Sequence, residues 1–122
     1  VSFSHSMARV LEAAQELEKQ GYSAEVLDLR SLRPLDEEAL VASVAKTNRC
    51  VVVDNDWPVA GFGSYVGWVV SSRCFDHLDA PVELVCMEDV PMPYNHGLEL
   101  AAQPSVEKIV AAARRALYAP GA

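Results

Sequence analysis

The chain has 122 residues, of which 51% are apolar and 22% charged, and it carries a formal net charge of −7. That length suits one domain, able to remove roughly two-thirds of its unfolded surface from water. The negative balance counts against nucleic acid, whose binding rests on Lys and Arg meeting phosphates, and no apolar run approaches the ~20 residues of a membrane span.

In chain order, Val1-Ser2-Phe3-Ser4 alternates apolar and polar, as a short strand does. Met7, Val10, Leu11, Ala14 and Leu17 then recur at helical spacing, with Glu12, Glu16 and Lys19 opposite. Gly21 ends that helix, because glycine accepts a left-handed backbone. "SAEVLDLR" (23–30) reads as a strand, with Ala24, Val26 and Asp28 on one face and Leu27 and Leu29 near the other. Pro34 breaks the chain, Asp36 caps a second helix, and Glu37 and Glu38 suit the positive end of its dipole. Leu40, Val41 and Val44 form that helix's apolar stripe.

"CVVVD" (50–54) is apolar without alternation, as expected of a central strand covered on both faces. Tyr65, Val66, Val69 and Val70 mark a third helix, and "VELVC" (82–86) a further strand. A proline-rich passage runs from Met87 to Pro104. Ser105 then caps a last helix with Val106, Ile109, Val110, Ala113 and Leu117 on its buried side. Strands alternating with helices predict an α/β fold with a mostly parallel sheet and helices on both faces.

The glycines at Gly61, Gly63 and Gly67 raise the question of a phosphate site. Their spacing is not G-x-G-x-x-G, and no lysine lies between Arg49 and Pro104 to complete a Walker loop. Asp54, Asp56 and Asp76 make the neighbourhood acidic, so Gly61 and Gly63 are expected to turn the backbone and bring the helix start close to the sheet. Trp57 and Phe62, two large aromatics on this loop, then suit a contact surface or the core edge better than a base.

His5, His77 and His96 have no nucleophile pattern beside them, and no histidine or carboxylate spacing suggests a metal site. Catalytic, cofactor-binding and metal residues are therefore expected to be none. Cys50, Cys74 and Cys86 lack C-x-x-C spacing and fit buried free thiols in a reducing, non-secreted location. Glu88 and Asp89 are either a solvated turn or a docking surface for a basic partner, with Met92 and Tyr94 as apolar contacts stiffened by Pro91 and Pro93.

"VLDLRSLRPLDEEALVASVAKTNRCVVVDNDWPVAGFGSYV", "FDHLDAPVELV" and "EDVPMPYNHGLE" together resemble the C-terminal domain of pyruvate dehydrogenase beta subunits, in the transketolase C-terminal family. "DLRSLRPLD" and "DVPMPY" are the most specific segments. The resemblance covers nearly all of residues 1–122. It implies a fragment of a longer beta subunit with a three-layer α/β/α fold, whose five-stranded, mostly parallel sheet has one antiparallel edge strand.

It further implies a parent enzyme that decarboxylates pyruvate on thiamine diphosphate with magnesium and passes the acetyl group to lipoamide. Both cofactors would be held outside this chain, in the alpha subunit and the other beta domain. The implied partners are the alpha subunit and second beta subunit of an α2β2 tetramer, and the subunit-binding domain of the dihydrolipoyl acyltransferase. The bacterial cytoplasm or the mitochondrial matrix is the implied location. Trp57, Phe62, Glu88, Asp89, Met92, Tyr94 and Tyr118 are the expected interface residues, and the tail "APGA" (119–122) would either dock or hang free. Branched-chain 2-oxo acid and acetoin dehydrogenases share much of the pattern. A transketolase-like enzyme or an independent anion-binding module are the other readings.

Overall fold

The computed structural model describes residues 1–119. Two parallel strands, β1 (Val51–Val53) and β2 (Glu83–Val85), pair with Val51 opposite Glu83 and Val53 opposite Val85. Backbone bonds carry the sheet past β1. Val1 N donates to Val51 O at 2.8 Å and Val53 N to Val1 O at 3.0 Å. Beyond that, Ser2 N donates to Leu27 O and Leu29 N to Ser2 O, both at 3.0 Å. Each set is the pattern of a parallel pair. The order across the sheet is therefore 27–29, 1–2, 51–53, 83–85.

Among the described residues four helices flank it, α1 (Met7–Lys19), α2 (Glu37–Thr47), α3 (Phe62–Arg73) and α5 (Val106–Ala116), and a short helix, α4 (His96–Ala102), precedes α5. Side chains alternate across the strands, so the sheet separates two apolar layers. Val52 faces Leu40 and Val44 of α2 and Val66, Val69 and Val70 of α3, with Leu29, Cys50 and Cys74. Val53 and Val85 face Val10 and Ala13 of α1 and Ile109 and Ala112 of α5. The expected α/β/α layering follows from that alternation. Each fully buried aliphatic side chain contributes about 1.5–3 kcal/mol.

The helix ends follow the sequence. Asp36 accepts from Ala39 N at 3.0 Å at the start of α2, and Gly21, with φ +87°, closes the turn after α1. The Ser105 hydroxyl accepts from Lys108 N at 3.2 Å at the start of α5. Ser105→Ala should lower stability by about 1 kcal/mol, which a urea titration against the wild type will show as a lower midpoint with unchanged slope.

Several expectations need correction. Leu11 is exposed and Ala13 takes its place in the buried stripe of α1, because Leu11 lies about 100° around the helix from Val10. Tyr65 likewise faces outward from α3. The buried line of α5 runs through Ile109, Ala112 and Ala116, while Val106, Val110, Ala113 and Leu117 are half-buried beside it. The stretch 23–30 is extended but joins the sheet only around Asp28.

Among the described residues the sheet has four strand positions, all parallel, rather than five with an antiparallel edge. Arg30, with φ +51°, turns the chain out of the sheet, and Leu32 and Leu35 make only an isolated antiparallel bridge around the turn. The proline-rich passage hides a helix. Asn95 starts α4, its side-chain oxygen accepting from Gly97 N at 2.9 Å and Leu98 N at 3.3 Å.

Candidate functional site

Parallel α/β sheets place their ligand-facing loops at the carboxyl ends of the strands. Here these are the loop from Asp54 to Gly61 and the loop from Cys86 to Asn95. Asp54 N donates to Val85 O and Met87 N to Asp56 O, both at 3.0 Å, so the two loops leave the sheet side by side. Trp57 then joins them: its indole Nε1 donates to Val90 O at 3.0 Å.

The glycine turn is filled from within the chain. Asp54 is buried, and its Oδ2 accepts from Gly63 N at 2.6 Å in the first turn of α3. A carboxylate thus already occupies the positive end of the helix, where a phosphate would have to sit. A Cβ on Gly63 would lie 2.8 Å from the Asp54 Cβ, and one on Gly61 would lie 2.2 Å from the Trp57 carbonyl oxygen. Both glycines are therefore required by close approach. Burial raises the Asp54 carboxyl above its ordinary value, and the Gly63 N–H works in the opposite direction.

The surroundings are uniformly unfriendly to anions. Asp56 adjoins Asp54, and the Cys86 thiol is pushed up to about 11 by burial and by those two carboxylates. Cys50 and Cys74 are buried, free thiols, likewise raised by burial. None of the three has the lowered value of a reactive thiolate. Among the described residues no group of three or more His, Cys, Asp or Glu could hold a metal ion, and no helix is long and apolar enough to cross a membrane. His5, His77 and His96 are exposed. The residues at this end of the sheet do not fit a diphosphate or its magnesium.

The structure splits the expected interface residues into separate places. Asp89, Met92 and Tyr94 are exposed on the second loop, with Tyr94 wholly outside the fold. Glu88 lies on the same loop but is paired with Lys108 at 2.7 Å, whose hydrogen bond holds its carboxyl below the ordinary value. Phe62 is half-buried against the core and meets Phe3 edge-on at 5.6 Å. Tyr118 lies at the opposite end of the sheet, its hydroxyl 3.5 Å from the Asp79 carbonyl oxygen that precedes β2. Residues 120–122 of the tail lie outside the described residues.

Other large apolar side chains are exposed as well. Leu98 and Leu100 project from α4, and Tyr65, Trp68 and Phe75 from α3 and the turn after it. The signal available for α3 was its lack of any charged residue from Phe62 to Ser72. A cavity of about 180 Å³ lies on the other side of the sheet between α1, α5 and Tyr22–Val26. Its lining is mostly apolar, and Arg49 beside it is already bound to the Ala116 carbonyl at 2.8 Å.

The chain is similar to several known proteins over nearly its whole length. It is 45% identical over 94% of its length to the mitochondrial pyruvate dehydrogenase E1 component subunit beta of Dictyostelium discoideum. With the beta-1 subunit of Oryza sativa subsp. japonica the identity is 49% over 96%, and with the beta subunit of Rickettsia conorii it is 41% over 97%. The chain spans only about a third of these relatives, covering 32%, 31% and 36% of them. A solved structure described as a split gene transketolase, inactive beta4 tetramer, superposes with a TM-score of 0.80 at 32% identity, over 96% of this chain and 37% of that one. Residues 1–109 match the family described as transketolase, C-terminal domain, and with its parallel sheet flanked by paired helices the chain belongs to that family.

Proposed function

We propose that this chain is the C-terminal assembly domain of a pyruvate dehydrogenase beta subunit. The longer enzyme would oxidatively decarboxylate pyruvate with thiamine diphosphate and magnesium and acetylate lipoamide. The observation that carries this proposal is the 40–49% identity to such beta subunits over nearly the whole chain. The cofactor supplies the carbon–carbon chemistry in such an enzyme. The Asp54 carboxylate at the start of α3 argues that this domain does not hold the diphosphate. Titrating thiamine diphosphate into the chain in a calorimeter should give no binding heat; micromolar affinity would overturn the assignment of a purely assembling role.

Its partners in that role are the alpha subunit, a second beta subunit and the basic subunit-binding domain of the dihydrolipoyl acyltransferase. The loop from Glu88 to Tyr94 supports the last of these. It presents Asp89 beside the exposed Met92 and Tyr94, an acidic group next to apolar anchors. A net charge of −7 would speed encounter with a basic domain. Pull-down by the acyltransferase domain at low and moderate salt is the test. We expect salt-sensitive capture, reduced about tenfold in affinity by Tyr94→Ala. Capture that ignores both salt and Tyr94 would remove this loop from docking. Either the bacterial cytoplasm or the mitochondrial matrix fits this assignment, since the relatives include both bacterial and mitochondrial subunits.

Trp57 is proposed as an anchor between subunits as well as a clasp between loops, being 41% exposed despite its bond to Val90. In the full-length beta subunit, Trp57→Ala should weaken assembly with alpha, seen by light scattering as a loss of tetramer. Phe62 would support the same contact from behind, through its ring contact with Tyr65 at 5.5 Å.

A further inference from the structure

Among the described residues the sheet has a gap at the N-terminal ends of its strands. Positions 1–2 lie between 27–29 and 51–53, and residues 23–26 and 49–50 lead into those two neighbours. The cavity of about 180 Å³ occupies the space between them. It is bounded by 23–26 on one side, by 49–51 on the other and by Val1 at its end. It also reaches both apolar layers, touching Val10, Leu17 and Ala113 on one and Val44 and Thr47 on the other. A groove lying on a sheet meets one layer, whereas a space open to both has the shape of a strand.

Backbone groups face the gap from both edges. In a parallel pair, alternate residues of a strand bond to the same neighbour. Leu27 O and Leu29 N bond to Ser2, and Val51 O and Val53 N bond to Val1. Glu25 and Leu27 on one edge, and Val51 on the other, therefore turn their N–H groups toward the cavity. Among the described residues no backbone group accepts from the half-buried Leu27 N, and such groups are rarely left unpaired in a complete fold. The two charged residues of the lining are already engaged, Arg49 with the Ala116 carbonyl and Glu25 with Lys46, so the space calls for apolar side chains on an extended backbone.

We propose that the residues preceding Val1 in the longer subunit fill this gap as a strand, an inference that rests on the longer subunit proposed above. Ser2 pairs with Asp28, so the same register sets the four residues before Val1 opposite 26, 25, 24 and 23. The residue next to Val1 then donates to Glu25 O and accepts from Leu27 N. Val1 packs on the layer of Val52, so this neighbour faces Val10 and Ala113, and the one before it faces Val44 and Thr47. Both are apolar, in the continuous run of a strand covered on two faces. Covalent continuity with Val1 favours this occupant over a separate peptide or a small apolar molecule, because a tethered segment has a high effective concentration. A chain held within the sheet in this way enters the domain without a flexible linker, which fixes the domain's orientation on the rest of the subunit.

Hydrogen exchange of the full-length beta subunit, read by mass spectrometry, tests it. The four residues before Val1 should exchange at least about 100-fold more slowly than an unpaired segment, as a core strand does. Glu25→Pro deletes an N–H that faces the gap and should speed their exchange about tenfold. Ala24→Pro deletes one that faces away and should leave it unchanged. Exchange of those four residues at the rate of an unpaired segment, or an equal response to the two prolines, overturns the proposal. Pyruvate turnover by the wild-type subunit assembled with alpha tests the proposed function separately, so the failure of either is recognised without the other.

Discussion

Gly61→Ala should destabilise the chain by about 3 kcal/mol, a fall of roughly 10 °C in melting temperature. The added Cβ would sit 2.2 Å from the Trp57 carbonyl oxygen, a backbone atom that cannot rotate away. Relief requires the loop from Trp57 to Gly61 to move, and that loop is tied at Trp57 Nε1 to Val90 and at the Ser64 hydroxyl to the Pro58 carbonyl. Displacement of one part therefore disturbs the other loop and the start of α3 together. Gly67→Ala is the contrast within the same helix. There the nearest atom is the Val82 Cγ1 at 3.9 Å, and the substitution should stabilise the chain by about 0.5–1 kcal/mol through helix propensity. Thermal melts of the two variants beside the wild type check both signs at once; equal melting of Gly61→Ala and wild type would contradict the close packing of the turn.

Asp54→Ala is expected to lower stability by about 2–3 kcal/mol, because it leaves the Gly63 N–H without its acceptor in a buried place and empties the space beside it. Asp54→Asn keeps an acceptor and removes the charge, so it isolates the titration. Burial is the larger influence and raises the folded carboxyl above its unfolded value, with the Gly63 bond opposing. The folded state then binds the proton more tightly than the unfolded state. Stability from this group is fully present below the unfolded pKa and falls as pH rises through the window up to the raised folded value. The stability of wild type minus that of Asp54→Asn should therefore decline across that window and level off above it. Measured by denaturant titration at several pH values, a difference that instead rose with pH would mean that the Gly63 hydrogen bond outweighs burial.

Local signals in the sequence suffice where the chemistry is local. Asp36, Ser105 and Gly21 each act on backbone within three residues, so their roles needed no knowledge of the fold. Periodicity located α1, α2, α3 and α5. It erred by one position at Leu11 and Tyr65, because the width and direction of a buried stripe depend on which helix packs across from it. Helix α4 gives no periodic signal, since its seven residues follow two prolines and form too short a window. Its start is fixed by Asn95, a cap visible only once a helix is suspected.

The amino-acid sequence alone points to the family more than to any site. The motifs around "DLRSLRPLD" and "DVPMPY" carried the family, while the net charge of −7 and the absence of lysine from Arg49 to Pro104 counted against a phosphate site. Only the tertiary structure brought Asp54, nine residues away along the chain, to the helix start at Gly63, where an anion would otherwise sit. Likewise it separated Tyr118 from the loop of Met92 and Tyr94, and exposed Tyr65 and Trp68 on a helix whose letters read simply as core. The physical reason is that composition fixes how much apolar surface a chain must hide, whereas the direction each side chain faces is set by neighbours distant in sequence.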